Sequence, residues 1–325
     1  MSAVYTEIQI ELARIASKIS ADGLKRQRAV LEGAEIPDEP TSSLFRSYGS
    51  LGVPVSSGGD GGTLTDLVVF VEALSRTVEP TPIFLHFAAQ QISEANGIDL
   101  HDASKKGERW TVSFGNDAKL YIPFARESDK IVIVRDDLRI LVLDGFRGET
   151  QKAMDPTLAI SKLEVRDTDE SFVKGSVVGV LRGALVLAAH NVGVARGALL
   201  AAVNYAGQRQ QFGQYIGSFQ GIAHSLADAF VDLESAWSLV LYASWALTKS
   251  PVDSEQASHL AIAKASRMAI DVTEQSLQTF GGIGMTWEAD SHLYIRRVLT
   301  VNSLLGGYTQ HFRKAGILSL RISKP

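Results

Sequence analysis

Two segments of the chain carry residue types suited to holding a diphosphate. The first is Tyr205-Ala-Gly-Gln-Arg209-Gln-Gln211-Phe212-Gly213, followed by Phe219-Gln220; the second is Gln278-Thr279-Phe280-Gly281-Gly282-Ile-Gly284. An arginine at the end of a long helix, facing a tight glycine turn, presents a planar cation to a pyrophosphate. Phe212 can pack an adenine or its ribose, and Gln220 brings an amide to the same side. In the second segment the glycines free backbone N–H groups and let a diphosphate approach the main chain. Each segment also has a plainer reading. An arginine in a last turn complements the helix dipole, and a glycine after it ends the helix. The pairing of the two segments favours the binding role.

Acids are missing where they would matter. No Asp or Glu lies between Glu170 and Asp228, and none follows Asp290. Other chemistry is thinly supported. The seven histidines show no H-x-x-x-H or H-x-x-E-H metal spacing. Ser56-Ser-Gly58 lacks the context of a nucleophile elbow. His190-Asn191, inside a long apolar helix, reads as a satisfied interfacial histidine before it reads as a pocket wall. Arg297 is expected to pair across a subunit contact or to be solvated. There is no cysteine, so disulfides and thiolate metal sites are excluded, which suits a reducing compartment.

Three zones position these residues. From Ser2 to about Ser104 the pattern is helical, with Ile8, Leu12, Ile15 and Ile19 on one face and Leu67, Val71, Leu74 and Val78 on another. Between them Leu51-Gly-Val-Pro54-Val-Ser-Ser-Gly58-Gly59-Asp-Gly61-Gly62 is a turn-rich loop, and Thr63 and Thr65 stand in capping positions. From about Lys106 to Gly175 short β-rich runs, among them Trp110–Phe114, Lys130–Val134 and Arg139–Leu143, predict a small antiparallel barrel or sandwich. From Ser176 onward, long alanine-rich segments over Gly183–Gln208, Phe219–Lys249, Ser254–Phe280 and Ala289–Leu304 predict a four-helix bundle. The fold class is mainly α with a small β domain, divided as 1–105, 106–175 and 176–325. The 325 residues, 45% hydrophobic and 21% charged with a net charge of −4, are those of a globular chain without a polyanion footprint. The longest apolar run, Gly183–Ala189, is far short of a membrane span, and the start does not read as a signal peptide. The expectation is a cytoplasmic protein with neither a nucleic-acid nor a membrane partner.

The order of zones and the two glycine-bearing segments together resemble the acyl-CoA dehydrogenases. Leu51-Gly-Val-Pro54 with Gly58-Gly59 and Glu72-Ala-Leu-Ser-Arg76 is similar to the N-terminal segment of that family; the middle zone matches weakly and the bundle strongly. The resemblance implies an N-terminal helical domain, a middle β domain and a C-terminal four-helix bundle. It also implies that Arg209, Gln211, Phe212, Gly213, Phe219, Gln220, Gln278, Thr279, Phe280, Gly281 and Gly282 reach across a subunit interface to the ADP half of FAD. The family takes the α-proton of an acyl-CoA with a Glu in a late I-Y-E-G-T segment or near the start of the first bundle helix. Here those places read Ser303-Leu304-Leu305-Gly306-Gly307 and Val180-Leu181-Arg182-Gly183-Ala184. Neither supplies a carboxylate, so no catalytic residue is expected in this chain. The T-E-x-x-x-G-S-D segment that holds the flavin ring is also lost, its place taken by Thr111-Val-Ser-Phe114-Gly-Asn-Asp117, and Trp110 reads as sheet core.

Some family members are obligate heteromers of actinobacterial sterol side-chain degradation, in which a degenerate subunit completes the site of a Glu-bearing one. The chain resembles that degenerate partner. The implied assembly is an α2β2 heterotetramer acting on an acyl-CoA, with a bulky steroid-CoA as substrate and an electron-transfer flavoprotein as electron acceptor. Two rivals stand beside it: a flavin-free scaffold or regulator of the same fold, and a flavoenzyme whose chemistry needs no carboxylate.

Overall fold

In the computed structural model, residues 5–35, 38–98, 107–146, 148–165, 171–249 and 252–322 are described. The first four residues, His101 and the boundary placed at 105–106 lie outside them. Five helices come first: α1 (Glu7–Ile19), α2 (Gly23–Leu31), α3 (Asp38–Tyr48), α4 (Leu64–Ser75) and α5 (Ile83–Ala95). Thr63 caps α4 with a reciprocal capping box to Asp66, whereas Thr65 accepts a hydrogen bond from Ser244. Leu67, Val71 and Leu74 are buried as their spacing predicts, and so are most other residues of α4, which runs through the core. Ile8 departs from the expected stripe and is exposed.

The middle zone holds β1 (Trp110–Phe114), β2 (Lys119–Pro123), β3 (Lys130–Val134), β4 (Arg139–Asp144), β5 (Ile160–Glu164) and β6 (Val173–Lys174). One sheet has the order β1-β3-β4-β6, and β2 pairs with β5 in a second. The expectation of all-antiparallel pairing fails at one place. β1 and β3 run parallel, with Trp110 opposite Lys130 and Phe114 opposite Val134, because β2 leaves the first sheet to pair with β5. Alternation then serves two cores. Ile131 and Ile133 face Leu120 and Ile122 in a small cluster, while Val132 and Val134 join Trp110 and Val112 in the main one. Trp110 is buried, with its indole N–H donating to Glu108, as a sheet-core residue should be.

The helical zone that follows contains α6 (Val177–Gln208), a hairpin of β7 (Gln210–Gln211) and β8 (Gln214–Tyr215), α7 (Gln220–Lys249), α8 (Ser254–Phe280), α9 (Ser291–Leu304) and α10 (Tyr308–Ile322). The four-helix expectation is therefore one helix short. Strand-to-helix entry occurs at Ser176, whose hydroxyl accepts from the Gly179 N–H. By length and composition α6 could cross a membrane, but it lies mostly buried in this fold, as the core helix of a globular protein does. It crosses α4 so closely that a Cβ on Gly197 would stand 1.8 Å from the carbonyl oxygen of Arg76. At the same crossing Glu72 accepts from Arg76 and Arg196, and Arg196 reaches on to Glu234 of α7.

One buried side chain ties the three zones together. Arg297 of α9 is fully buried, neither solvated nor reaching outward as the sequence suggested. Its Nε donates to Asp155 Oδ2 at 2.6 Å, and its terminal nitrogens donate to Thr157 Oγ1 and to the carbonyls of Val78 and Glu79. Val78 holds a positive φ of 49°, costly for a β-branched residue, at the corner where its carbonyl meets the guanidinium. Removing one member of a buried ion pair strands the other charge, at a cost of about 3–5 kcal/mol. Arg297→Met is therefore expected to lower unfolding free energy by that order in urea melts; a loss under ~1 kcal/mol, the range of exposed pairs, would show that the clasp is dispensable.

Candidate functional site

The two glycine-bearing segments meet at one end of the bundle. Tyr205 of α6 and Phe280 of α8 stack at 4.6 Å between centroids, so the last turns of the two long helices lie side by side. Beyond them the chain projects outward. α6 stops at Gln208, and Arg209 is extended (φ −74°, ψ 127°). Phe212 (φ 52°) and Gly213 (φ 80°) form the two-residue turn of the β7–β8 hairpin. Gly213 is thus a hairpin residue and not a helix cap, whereas Arg209 is the residue that caps α6.

Exposure separates the predicted contact residues. Arg209, Gln211, Gly213, Gln220, Gln278, Gly281 and Gly282 are exposed, and Phe212 is 93% exposed, touching Phe219 edge-on. Arg209 has no side-chain hydrogen bond or ion pair among the described residues. Gly281 ends α8 at φ 64°, ψ −148°, a conformation open in practice to glycine alone, and its N–H bonds to the Gln278 carbonyl. Thr279 and Phe280 are turned inward: the threonine hydroxyl donates to Gln275 within its own helix. The exposed set offers a free cation, three amides, a bare aromatic ring and an unobstructed main chain. That donor set fits the diphosphate and adenosine of a dinucleotide presented from outside.

The positions of the missing base meet somewhere else. Leu305, at the end of α9, and Leu181 and Ala184, near the start of α6, line one cavity of about 360 Å³ between the bundle and the sheet. Both leucines are buried. The two alternative base positions thus converge on a single space. The first sheet contributes Phe114 and Val134, and α8 and α10 contribute His259 and His311. Thr111, where the ring-binding Thr-Glu would begin, is turned away, its hydroxyl donating to the Pro123 carbonyl inside the sandwich.

The last acids of the sequence, Glu288 and Asp290, do not line this cavity. Asp290 pairs with Arg28. The carboxylates that line the cavity are Asp136, in the β3–β4 turn, and Glu255, in the first turn of α8. Both are exposed, and Asp136 accepts from the Asn116 amide. His190 is absent from the cavity lining. It lies buried, stacked on Phe84 at 3.8 Å and donating from Nδ1 to Ser75. Neighbouring Asn191 is fully buried, and its amide atoms have no hydrogen-bond partner among the described residues.

With this geometry in view, the similarities to known proteins fall into place. Residues 179–314 match the family described as acyl-CoA dehydrogenase, C-terminal domain. The chain is 29% identical over 258 residues to acyl-CoA dehydrogenase IpdE2 of Mycobacterium tuberculosis, covering 76% of each. Over 340 residues it is 31% identical to acyl-CoA dehydrogenase FadE34 of the same species, covering 95% of this chain and 47% of that one. Among solved structures, the ChsE4–ChsE5 complex from Mycobacterium tuberculosis superposes with a TM-score of 0.83 at 20% identity, covering 99% of both chains. A variant of the Tcur3481–Tcur3483 steroid ACAD gives 0.81 at 22%, covering 96% of this chain and 98% of that one. Residues 179–314 are thus those of an acyl-CoA dehydrogenase C-terminal domain, and the chain as a whole is similar in sequence and fold to acyl-CoA dehydrogenases.

Three buried histidines set the acid limit of the fold. His86 donates from Nε2 to the Gly49 carbonyl and accepts at Nδ1 from the Trp110 N–H, so it must be neutral, and burial pushes it down to about 4. Burial likewise holds His259 at about 3 and His311 at about 4. An unfolded histidine takes up its proton near pH 6.5, whereas these folded rings resist until about 4. Stability is therefore constant above about pH 6.5 and falls as pH drops toward 4, at about 1.4 kcal/mol per pH unit and group. Urea midpoints measured across that interval should fall, with a smaller drop in His86→Gln; a flat profile would show that the rings accept protons while folded.

Proposed function

We propose that this chain is the base-free subunit of a cytoplasmic, heteromeric, FAD-dependent acyl-CoA dehydrogenase, in which it completes a flavin site held mainly by a homologous, Glu-bearing partner. The observation that carries this reading is the cavity of Leu181, Ala184 and Leu305. Both places where the family keeps its base open onto it, and both hold aliphatic side chains. Removal of an α-proton needs a base within reach. No side chain of this chain at those positions can accept one.

The outward-facing half of the site supports the same division. Arg209 would meet the pyrophosphate of FAD, with Gln211, Gln220, Gln278 and the exposed main chain of Gly281 and Gly282 around it and Phe212 against the adenosine. When bound, FAD would accept the hydride that leaves the β-carbon of the acyl-CoA, while the α-proton goes to the partner's carboxylate. A scaffold without flavin gives no account of an exposed arginine with no internal partner. An apolar groove lined by Leu199, Leu200, Val203 and Phe230 lies beside Tyr215 and Gly217 of the hairpin segment. Its volume is about 920 Å³, and it supports docking of the partner chain next to the flavin contacts. A steroid side-chain CoA as substrate and an electron-transfer flavoprotein as acceptor complete the proposal, and an α2β2 assembly follows from the resemblance.

The test is the flavin content of complexes purified with the partner. Arg209→Ala removes a charge-assisted contact worth on the order of 1.5–3 kcal/mol. The variant complex should assemble normally yet lose FAD on dilution or gel filtration, and the chain produced alone should be colourless. Unchanged flavin occupancy in the variant, or a full complement of FAD on the isolated chain, would contradict the assignment.

A further inference from the structure

The cavity over Leu305 holds a polar pair to which the proposed function gives no work. His259 of α8 and His311 of α10 are both buried, and their Nδ1 atoms lie 2.9 Å apart. One proton must lie between two ring nitrogens at that distance, so one ring donates and the other accepts. The second nitrogen of His311 decides which. His311 Nε2 lies 3.3 Å from the carbonyl oxygen of Leu305, an atom that only accepts. His311 therefore carries its proton on Nε2 and accepts at Nδ1. His259 donates from Nδ1, which leaves its Nε2 a bare lone pair. That nitrogen has no hydrogen-bond partner among the described residues, although its ring lines the cavity.

We propose that this cavity binds a compact apolar alcohol, whose hydroxyl donates a hydrogen bond to His259 Nε2. The walls suit such a molecule. Phe114, Val134, Leu138, Leu181 and Leu305 give it an apolar stretch of wall, although Arg135, Asp136, Glu255, Gln310 and Lys314 also line it, and about 360 Å³ falls within the range of small-molecule pockets. The fixed acceptor sets the selectivity. A hydroxyl satisfies the lone pair, whereas the oxygen of a ketone or thioester would meet it with a second lone pair and leave both unpaired. An acyl-CoA carbonyl is thus the wrong partner here. Burial keeps both rings neutral, with the charge of Lys314 at the cavity mouth acting in the same direction, so the acceptor persists through the neutral range. The inference goes beyond the proposed function: it uses a buried pair within this chain and does not depend on flavin.

Calorimetry on the full chain in its purified, assembled form, with cyclododecanol and cyclododecanone as probes, tests this. The alcohol should bind tighter than the ketone by roughly three- to tenfold, the worth of one neutral hydrogen bond. His259→Leu should abolish that preference while leaving the ketone's affinity in place. Should the variant not fold, nitrogen NMR of the wild-type chain labelled at histidine replaces it. There the free Nε2 resonance of His259 should move on adding the alcohol and stay still with the ketone. Equal affinities, no binding of the alcohol up to its solubility, or an unmoved resonance would each overturn the proposal. Flavin absorbance read on the same samples keeps the two ideas apart, because loss of flavin leaves the alcohol preference untouched and the reverse also holds.

Discussion

The buried pair of Arg297 and Asp155 is the constraint on which the rest of the structure depends. One guanidinium takes its carboxylate and hydroxyl from the segment between β4 and β5 and its carbonyls from the segment after α4, while its own helix belongs to the bundle. A planar cation with five donors serves four acceptors here, one more than the three N–H groups of a lysine could reach. Such pairs contribute little net stability against an apolar substitute, but they tolerate only one arrangement. That arrangement holds α9 in place, and the residue that caps α9 is Leu305. The cavity is therefore positioned by a contact that no cavity residue makes.

From that frame the two halves of the site diverge. Inside, Leu181 and Leu305 line a space whose polar groups are His259 and His311 together with Arg135, Asp136, Glu255, Gln310 and Lys314. Outside, the ends of α6 and α8 are clamped by the Tyr205–Phe280 stack and present an unpaired arginine, exposed amides and a bare phenylalanine. A subunit carrying its own complete site would have its catalytic acid on the inside. A subunit that serves a neighbour needs only the outer surface. The distribution of buried and exposed groups supports the second case, which is the one proposed.

Much of this was legible in the sequence, and the failures have physical causes. Helix spacing located α1, α4 and the long bundle helices because their apolar faces repeat at the helical period. The acid-free windows showed that the two base positions implied by the resemblance hold no carboxylate, because a missing residue type needs no three-dimensional information; that those positions share one cavity was not foreseen. Arg297 was misread because an arginine next to a second arginine gives no sign of burial; its partners outside its own helix lie 140 or more positions away. The parallel pairing of β1 and β3 was hidden because β2 departs to β5, and strand composition does not record partners. α10 was missed because its first turns carry Tyr308, Gln310 and His311 before any clear apolar stripe. The His259–His311 pair likewise joins two helices 52 positions apart, beyond the reach of any spacing rule.

Anaerobic mixing of the assembled complex with an acyl-CoA that it oxidises, followed by the bleaching of the flavin band, tests the central claim most directly. Glu255 and Asp136 are the only carboxylates of this chain that line the cavity among the described residues. Complexes carrying Glu255→Gln or Asp136→Asn should bleach at the rate of the unmodified complex, and alanine at the partner's active-site Glu should stop bleaching altogether. A Glu255→Gln or Asp136→Asn complex that retains flavin, binds the acyl-CoA and yet fails to bleach would place the base in this chain.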